Sequence, residues 1–408
     1  KKGIIIIPGI NRYLIMMNWP GVLNADSQVM AKIEAARDLA KPVDGHAPGL
    51  SGKDLETYVS AGISTDHECT TLQEAREKLA LGMKIIIREG SASKNFDALV
   101  PLLAEYPGDI MFCSDDKHPE DLLQGHINLL VARALEMGYP FWDVLDAACL
   151  VPARHYGLNV GLLQKNDPAD FIVVQDLGSM QIKKTWIDGE CVFDGDTVSL
   201  DRTSISTVNR FTSYSLQSED FIVPSQGEKF PVIQAREGSL LTGKNFEYLP
   251  EIQGELQPDF RKDILKIAVV NRYVESRPTV GFVRGFGLLD GAIATSVAHD
   301  SHNILIVGTS DRYLAEIANL VMQNFGGIAA IDSRHQEILP LPVGGIMSDR
   351  PCEEVAEKYK KFTSMARDMG SKIQAPHMLL SFMALLVIPS LKISDAGIFD
   401  AENFEFIT

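Results

Sequence analysis

Between residues 13 and 137 one unit recurs: a short apolar run, a polar residue at its end, then a segment with helical spacing. The first run, YLIMM, leads through Asn18 and a Pro-Gly turn to a helix predicted from Ser27 to Ala40, with Val29, Ile33 and Ala36 on one face. KPVDGH ends at His46, and Ser51 followed by Asp54 reads as the next helix start. AGIST runs to Asp66-His67, after which Thr71 and Glu74 have the spacing of a capping box and Gly82 closes the helix. MKIIIREG ends at Arg88-Glu89, and DIMFCSDD ends at Asp115-Asp116 before a helix predicted from about Glu120 to Met137. Five strand-helix units are expected.

Near-continuous apolar runs alternating with helices predict an α/β fold with a parallel sheet covered by helices. In a β/α barrel the polar residues at the carboxyl ends of successive strands gather at one mouth, where such enzymes keep their chemistry. His46, His67, Glu89 and Asp115 are therefore expected to converge. After residue 158 the pattern changes to short alternating strands with a Pro-containing turn and a Asp-Gly hairpin signal, which predicts a small antiparallel β unit over 159–200. Residues 201 to about 262 are poorly periodic. From Ile264 onward the texture is again mixed, with strands at KIAVVNRY, NILIVGT and IAAID and helices at Arg312 to Gln323 and Glu353 to Met369, so 201–408 is expected to form a separate C-terminal α/β domain.

Composition narrows the functional classes. At 408 residues the chain is long enough for two or three domains, at roughly 100–200 residues each. Its net charge of -16 works against nucleic acid, whose phosphates need a basic stripe. Small-molecule ligands remain open. The five cysteines are scattered and none forms a C-x-x-C pair, the distribution expected of reduced thiols. KKGIIIIPGI stops at Pro8-Gly9 without a cleavage site, and SFMALLVIPS is too short to span a bilayer. A cytoplasmic protein without membrane association is expected.

Two imidazoles and a carboxylate on three rigid strand ends have the donor types to hold a transition-metal ion that activates a water. A single His or Asp at a strand end is more often a cap or turn residue. From spacing alone, ligand and structural roles stand about even for the four together. Asp44 and Asp116 read as capping or orienting residues. His299 and His302 stand at i, i+3, a spacing a metal on a helix could use, but AHDSHN reads as a polar turn packed against the barrel or a subunit neighbour. His126 reads as structural, on the helix after the last strand.

The segments MMNWPGV, DGHAPGL, AGISTDHE, MKIIIREGSA, FCSDDKHP, ARHYGL, DPADFIVV and GFGLLDGAIATSVAHDSHN occur in an order and spacing that resemble the bacterial adenine deaminases of the amidohydrolase superfamily. That resemblance implies a metal-dependent (β/α)8 barrel, of which residues 11–158 supply strands four to eight. A small β-sandwich-like unit would be formed by 1–10 and 159–200. It also implies hydrolysis of adenine to hypoxanthine and ammonia, a binuclear Mn or Fe centre with Zn as a further candidate, and a homo-oligomer. Position by position, His46, His67 and Asp115 match metal ligands, with Asp115 also shuttling the proton. Glu89 matches the carboxylate that protonates or hydrogen-bonds a ring nitrogen, and Arg88 and Ser91 match pocket-lining positions.

The chain departs from the family twice. No His-x-His pair of the first strand occurs, and Ile15 stands where the family carries a Glu before Met-Met-Asn. The five units are also short of the eight strands and about 250 residues of a closed barrel, so roughly 100 residues are expected to be absent between about Ile10 and Ile15. With His46, His67 and Asp115 alone, one ion would be held, but not a pair. The zinc nucleobase deaminases with P-C-x-x-C are set aside, because Pro351-Cys352 runs into Glu353-Glu354. A related cyclic amidohydrolase and a non-catalytic homologue are the alternatives.

Overall fold

The computed structural model describes residues 14–91, 93–200 and 207–407, so the β segment expected at 1–10 and the junction following it lie outside the described residues. The chain divides into two compact units. Among the described residues, the first comprises 14–90, 94–117 and 124–200, and the second comprises 91, 93, 118–123 and 207–407.

Five parallel strands form the heart of the first unit: β1 (Leu14–Met16), β2 (Val43–Gly45), β3 (Thr65–Asp66), β4 (Lys84–Arg88) and β5 (Ile110–Cys113). β1 pairs with β2, β3 with β4 and β4 with β5, all parallel, and a parallel bridge from Val43 to Ile63 carries the order from β2 to β3. The arc runs in chain order, as expected from five successive strand-helix units. Alternation along β4 and β5 sorts its two faces. Ile85, Ile87, Ile110 and Phe112 pack outward with Leu79, Phe96, Leu99 and Leu130, whereas Ile86 and Met111 face inward with Val151. Gly45 is demanded at the end of β2, because a Cβ there would lie 2.2 Å from the Thr65 carbonyl oxygen.

The helix Ser27–Asp38 buries Val29, Ile33 and Ala36, the face read from the sequence, and Asp26 caps it by accepting from the amides of Gln28 and Val29. The Thr71 hydroxyl accepts from the Glu74 amide, but the Glu74 carboxylate turns to Thr70, Gly49 and Lys78, leaving half of the expected capping box. The single helix expected over 120–137 is two helices, Pro119–Leu122 and Ile127–Glu136. Gly125 breaks it: its φ is +147°, and the Asn128 side chain accepts from the His126 amide to start the second helix. Further on, β6 (Phe171–Val174), β7 (Ile182–Ile187) and β8 (Glu190–Phe193) make a three-stranded antiparallel sheet.

The second unit is built on an eight-stranded sheet. In spatial order its strands are Gly243–Glu247, Phe230–Gln234, Thr279–Arg284, Ile264–Val270, Ile304–Gly308, Ala292–Thr295, Gly327–Ile331 and Gln336–Pro340. All neighbours are antiparallel except Thr279–Arg284 with Phe230–Gln234. The amphipathic helix Asp311–Gln323 covers one face through Leu314, Ile317, Ala318 and Val321. The helix Cys352–Asp368 and a three-stranded sheet over Leu391–Ser394, Gly397–Asp400 and Glu405–Ile407 complete the unit. AHDSHN is a turn rather than a helix: the His299 ring stacks on Phe382 at 4.8 Å, and His302 Nδ1 accepts from the Ala298 amide. No helix among the described residues is long and apolar enough to cross a membrane.

Candidate metal centre

His46 immediately follows β2, and His67 and Glu68 immediately follow β3. Asp66, fully buried, holds the backbone of both segments. Its Oδ1 accepts from the Ala47 amide at 2.9 Å, and its Oδ2 accepts from the Glu68 amide at 3.0 Å and from the Lys78 ammonium at 3.0 Å. Burial alone would raise this carboxyl, but the Lys78 charge outweighs it and holds the pKa down to about 2. Lys78 also donates to the Ala47 carbonyl at 2.7 Å. Asn95 adds a third tie, donating to the carbonyls of His67 and Cys69 while accepting from the Arg88 amide. The Asp of Asp66-His67 is thus the bracket that fixes its neighbour.

On this bracket His46 Nδ1 and His67 Nε2 face each other at 3.3 Å. Glu68 Oε1 stands 3.3 Å from the first and 3.4 Å from the second. The three ligand atoms form a compact triangle of two imidazoles and one carboxylate. Arg88, at the end of β4, forks between two acids: Nη2 donates to Glu68 Oε2 at 2.9 Å, and Nη1 lies 2.5 Å from both Glu68 Oε1 and Asp115 Oδ2. Burial raises the Glu68 carboxyl, and Arg88 opposes that rise. For Arg88, burial works against the charge, but the carboxylates of Glu68 and Asp115 prevail and raise its pKa.

One guanidinium between two carboxylates leaves the group with an excess negative charge, and nitrogen and oxygen donors converge beside it. That set fits a divalent transition ion, with imidazole and carboxylate suited to Zn, Mn or Fe. The structure brings His46, His67, Arg88 and Asp115 together. It adds Glu68, which the reading of strand-terminal residues passed over because it is the third polar residue of Asp66-His67-Glu68. In a segment that remains extended just past β3, that acid is the one placed to rejoin His46.

A cavity of about 410 Å³ opens on the inner face of the arc, lined by Ile15, Asp44, His67, Ile86, Met111, Cys113, Ser114, Asp115, His126 and Tyr156, among others. Asp44 accepts from Thr65 Oγ1 at 2.7 Å and from the Tyr156 hydroxyl at 3.0 Å, and burial raises its carboxyl. His126, expected on a helix, precedes one instead and places Nε2 2.9 Å from Ser114 Oγ beside the cavity. The Glu89 carboxylate lies 3.3 Å from Arg133 Nη1. Ser91 belongs to the second unit, where its hydroxyl bonds Asp121 and accepts from the His118 amide.

Comparison with known proteins follows the same division. Residues 8–192 match the Amidohydrolase family, and residues 239–405 match the Adenine deaminase C-terminal domain. Adenine deaminase of Salinibacter ruber is 51% identical over 394 residues, covering 96% of this chain and 72% of the relative. The chain belongs to the adenine deaminase family. Adenine deaminases of Sulfurovum sp. and Methanosarcina mazei, 49% and 46% identical, cover 100% and 96% of the chain and 75% and 73% of their own lengths, so the family is broader than the bacterial members expected from the motifs. Among solved structures, a β-aspartyl dipeptidase from Fervidobacterium islandicum AW-1 aligns with 44% of this chain and 55% of its own, at 21% identity and a TM-score of 0.35, a likeness too slight to carry an argument.

Proposed function

We propose that this member of the adenine deaminase family hydrolyses adenine to hypoxanthine and ammonia at the ends of β2 to β5, with the wall of the inner cavity receiving the purine. The observation that carries this reading is the triangle of His46, His67 and Glu68 joined to Asp115 through Arg88. The five-stranded arc is read as part of an eight-stranded barrel, with β6 to β8 belonging to a small β unit.

His46, His67 and Glu68 would hold a divalent ion, with Asp115 as a further ligand from β5. Mn or Fe is the proposed metal, and the pair that the family resemblance implies would need donors beyond these four residues. When bound, the metal supplies Lewis-acid activation of water. The residues of the chain do the rest. Asp115 accepts the proton that water gives up as its oxygen bonds to C6, and later delivers it to the departing amino nitrogen, which leaves as ammonia. Arg88 holds Asp115 aimed through the contact of its Nη1 with Oδ2 at 2.5 Å. Addition at C6 breaks the ring's aromaticity, so the ring nitrogen that gains electron density needs a proton, and Glu89 is the proposed donor. In this structure Glu89 turns to Arg133 on the flanking helix, so for that step it would have to leave the ion pair and swing toward the cavity in its acid form, recovering the proton from the C6 hydroxyl as the carbonyl of hypoxanthine forms.

The test is turnover of adenine by the full chain, followed as hypoxanthine and ammonia in equal amounts, before and after chelation and after re-addition of Mn, Fe or Zn. Metal-dependent formation of both products is expected. A metal-loaded protein that leaves adenine untouched but opens a dihydropyrimidine or hydantoin ring would replace this reading with that of a related cyclic amidohydrolase. No turnover of either substrate class would make the chain a non-catalytic homologue. Assembly into a homo-oligomer and a cytoplasmic location, in keeping with five free cysteines, belong to the same proposal.

A further inference from the structure

The two imidazoles of the triangle follow a second pair of side chains that also meet. Asp44 lies two residues before His46 on β2, and Thr65 lies two residues before His67 on β3, so alternation along an extended chain puts each on the face of the imidazole it precedes. Asp44 and His67 both line the inner cavity, as that alternation requires. Between the strands Thr65 Oγ1 donates to Asp44 Oδ1 at 2.7 Å and accepts from the Gly45 amide at 3.3 Å. Asp44 and Thr65 are both buried, and the Tyr156 hydroxyl closes the group by donating to Asp44 at 3.0 Å. Backbone pairing between β2 and β3 lies lower, at the bridge from Val43 to Ile63 and the Ser64 amide on the Val43 carbonyl. Beyond that level side chains join the two strands, Asp66 on one face and Asp44 with Thr65 on the other.

We propose that Asp44 and Thr65 are positioning residues for the metal centre: their hydrogen bond holds the ends of β2 and β3 so that His46 and His67 stand at chelating spacing before an ion arrives. The proposal rests on the metal-binding reading given above, and it is independent of which substrate the ion serves. Ligands already in place lose no binding free energy to being ordered, so a tie beneath them acts on metal affinity. Asp44 suits that task because a carboxylate has lone pairs for both hydroxyls at once. Thr65 suits it because one hydroxyl can donate to the neighbouring strand's side chain while accepting from that strand's amide. The orienting role that the sequence suggests for Asp44 is on this account exerted on His46, through β2 and its link to β3.

Four variants of the full chain decide the matter, each compared with wild type by amide hydrogen exchange without metal and then by titration with Co2+ against a chelator, with visible absorption reporting the ligand field. Asp44→Leu and Thr65→Val should weaken Co2+ binding about 10- to 100-fold, the range for losing a supporting contact around metal ligands, and should shift the Co2+ bands. Exchange in the metal-free chain should quicken over 43–47 and 63–68 but not in β4 and β5. Asp44→Asn keeps an acceptor for Thr65 and should stay within about threefold of wild type on affinity. Tyr156→Phe leaves the bond between the strands in place, and the same small change is expected. Should Asp44→Leu fold poorly, Thr65→Val, close to the native shape, carries the comparison with Asp44→Asn. Wild-type affinity and exchange in Thr65→Val would overturn the proposal. So would Asp44→Asn as weak as Asp44→Leu, or a loss in Tyr156→Phe equal to that in Thr65→Val, because core packing or charge would then set the spacing. If wild type itself binds no Co2+, the metal-binding reading fails, while exchange in the metal-free chain still decides whether Asp44 and Thr65 hold the strand ends.

Discussion

Lys78 and Lys266 are both fully buried, yet they do different work in the two units. Lys78 lies beneath the strand ends of the first unit, on Asp66 at 3.0 Å, Glu74 at 2.9 Å and the Ala47 carbonyl at 2.7 Å. Through Asp66 it steadies the segments that present His46, His67 and Glu68. Lys266 lies within the antiparallel sheet of the second unit, donating to Asp311 at 2.6 Å and to the Phe221 carbonyl, and so ties a strand to the first turn of a helix. The difference follows from strand geometry. Parallel strands end in crossover segments whose backbone amides and carbonyls have no ladder to join, so buried polar side chains must satisfy them. Antiparallel neighbours satisfy one another, so a buried charge there ties element to element, as Lys266 does. Where the parallel strands stop, the same ties that satisfy the backbone hold reactive side chains at fixed spacing.

The sharpest break would come from Asp115→Asn. The amide is the same size and keeps a contact with Arg88, but it cannot accept water's proton, so turnover should fall by about 10²–10⁴ with little change in KM. Glu89→Gln should fall in the same range if Glu89 is the ring-nitrogen donor, with metal content unchanged. A change below about tenfold would leave Glu89 as the partner of Arg133 and pass the donor role to another residue. Near-normal turnover in a folded, metal-loaded Asp115→Asn protein would remove the proton shuttle from β5 altogether.

The buried lysines themselves give the next test. Lys78→Met strands the Asp66 carboxylate, which is wholly buried, and should cost about 3–5 kcal/mol of stability. Lys266→Met strands Asp311, which keeps partial solvent access and heads a helix, so roughly 1–3 kcal/mol is expected. Denaturant unfolding of both variants measures the contrast. Equal losses would mean that the strand-end bracket is no more demanding than an ordinary buried ion pair.

Much of this contrast was legible in the sequence. The five parallel strands, the Val29, Ile33 and Ala36 face and the convergence of His46 with His67 all follow from period and from polar strand ends. What periodicity could not resolve were decisions made by single contacts. Gly125 splits a helix that the apolar pattern alone runs through. Arg88 and Glu89 are adjacent, so one must face the site and the other the flanking helix, and only the placement of Glu68 and Arg133 shows which does which. Glu68 was hidden because a carboxylate after His67 reads as solvent-facing until β3 is seen to end at Asp66.

Glu68 also supplies a milder test. If it is a ligand rather than only the partner of Arg88, Glu68→Gln should weaken metal binding by at least the ~10–100-fold typical of losing a supporting group, and His67→Ala should do so by more. Elemental analysis across a chelator series reads both. Unchanged stoichiometry in Glu68→Gln would leave two imidazoles and Asp115 as the donor set, and unchanged stoichiometry in His67→Ala would make that ring part of the pocket wall.

The last contrast concerns Lys392, a buried cation of the second unit that has carbonyls in place of a carboxylate. Its ammonium donates to the Leu240 carbonyl at 2.8 Å and the Phe382 carbonyl at 3.1 Å. Burial lowers its pKa to about 7, against about 10.4 for a lysine in water. Below pH 7 the folded and unfolded chains both carry the proton, and no pH dependence arises from this group. Between about pH 7 and 10 the folded chain has released the proton while the unfolded chain still holds it, so unfolding takes up a proton and stability rises with pH, by at most ~1.4 kcal/mol per pH unit. Above that window both forms are neutral and the gain is complete. Lys392→Met should flatten this rise while leaving the parallel-strand unit as it was. Unfolding of the second unit, followed at pH 6, 8 and 9.5 in wild type and variant, gives the comparison. A wild-type slope that survives in Lys392→Met would place the titrating group elsewhere. A slope absent from both would mean that the two carbonyls hold the ammonium charged through neutral pH, as Asp66 holds Lys78 in the first unit.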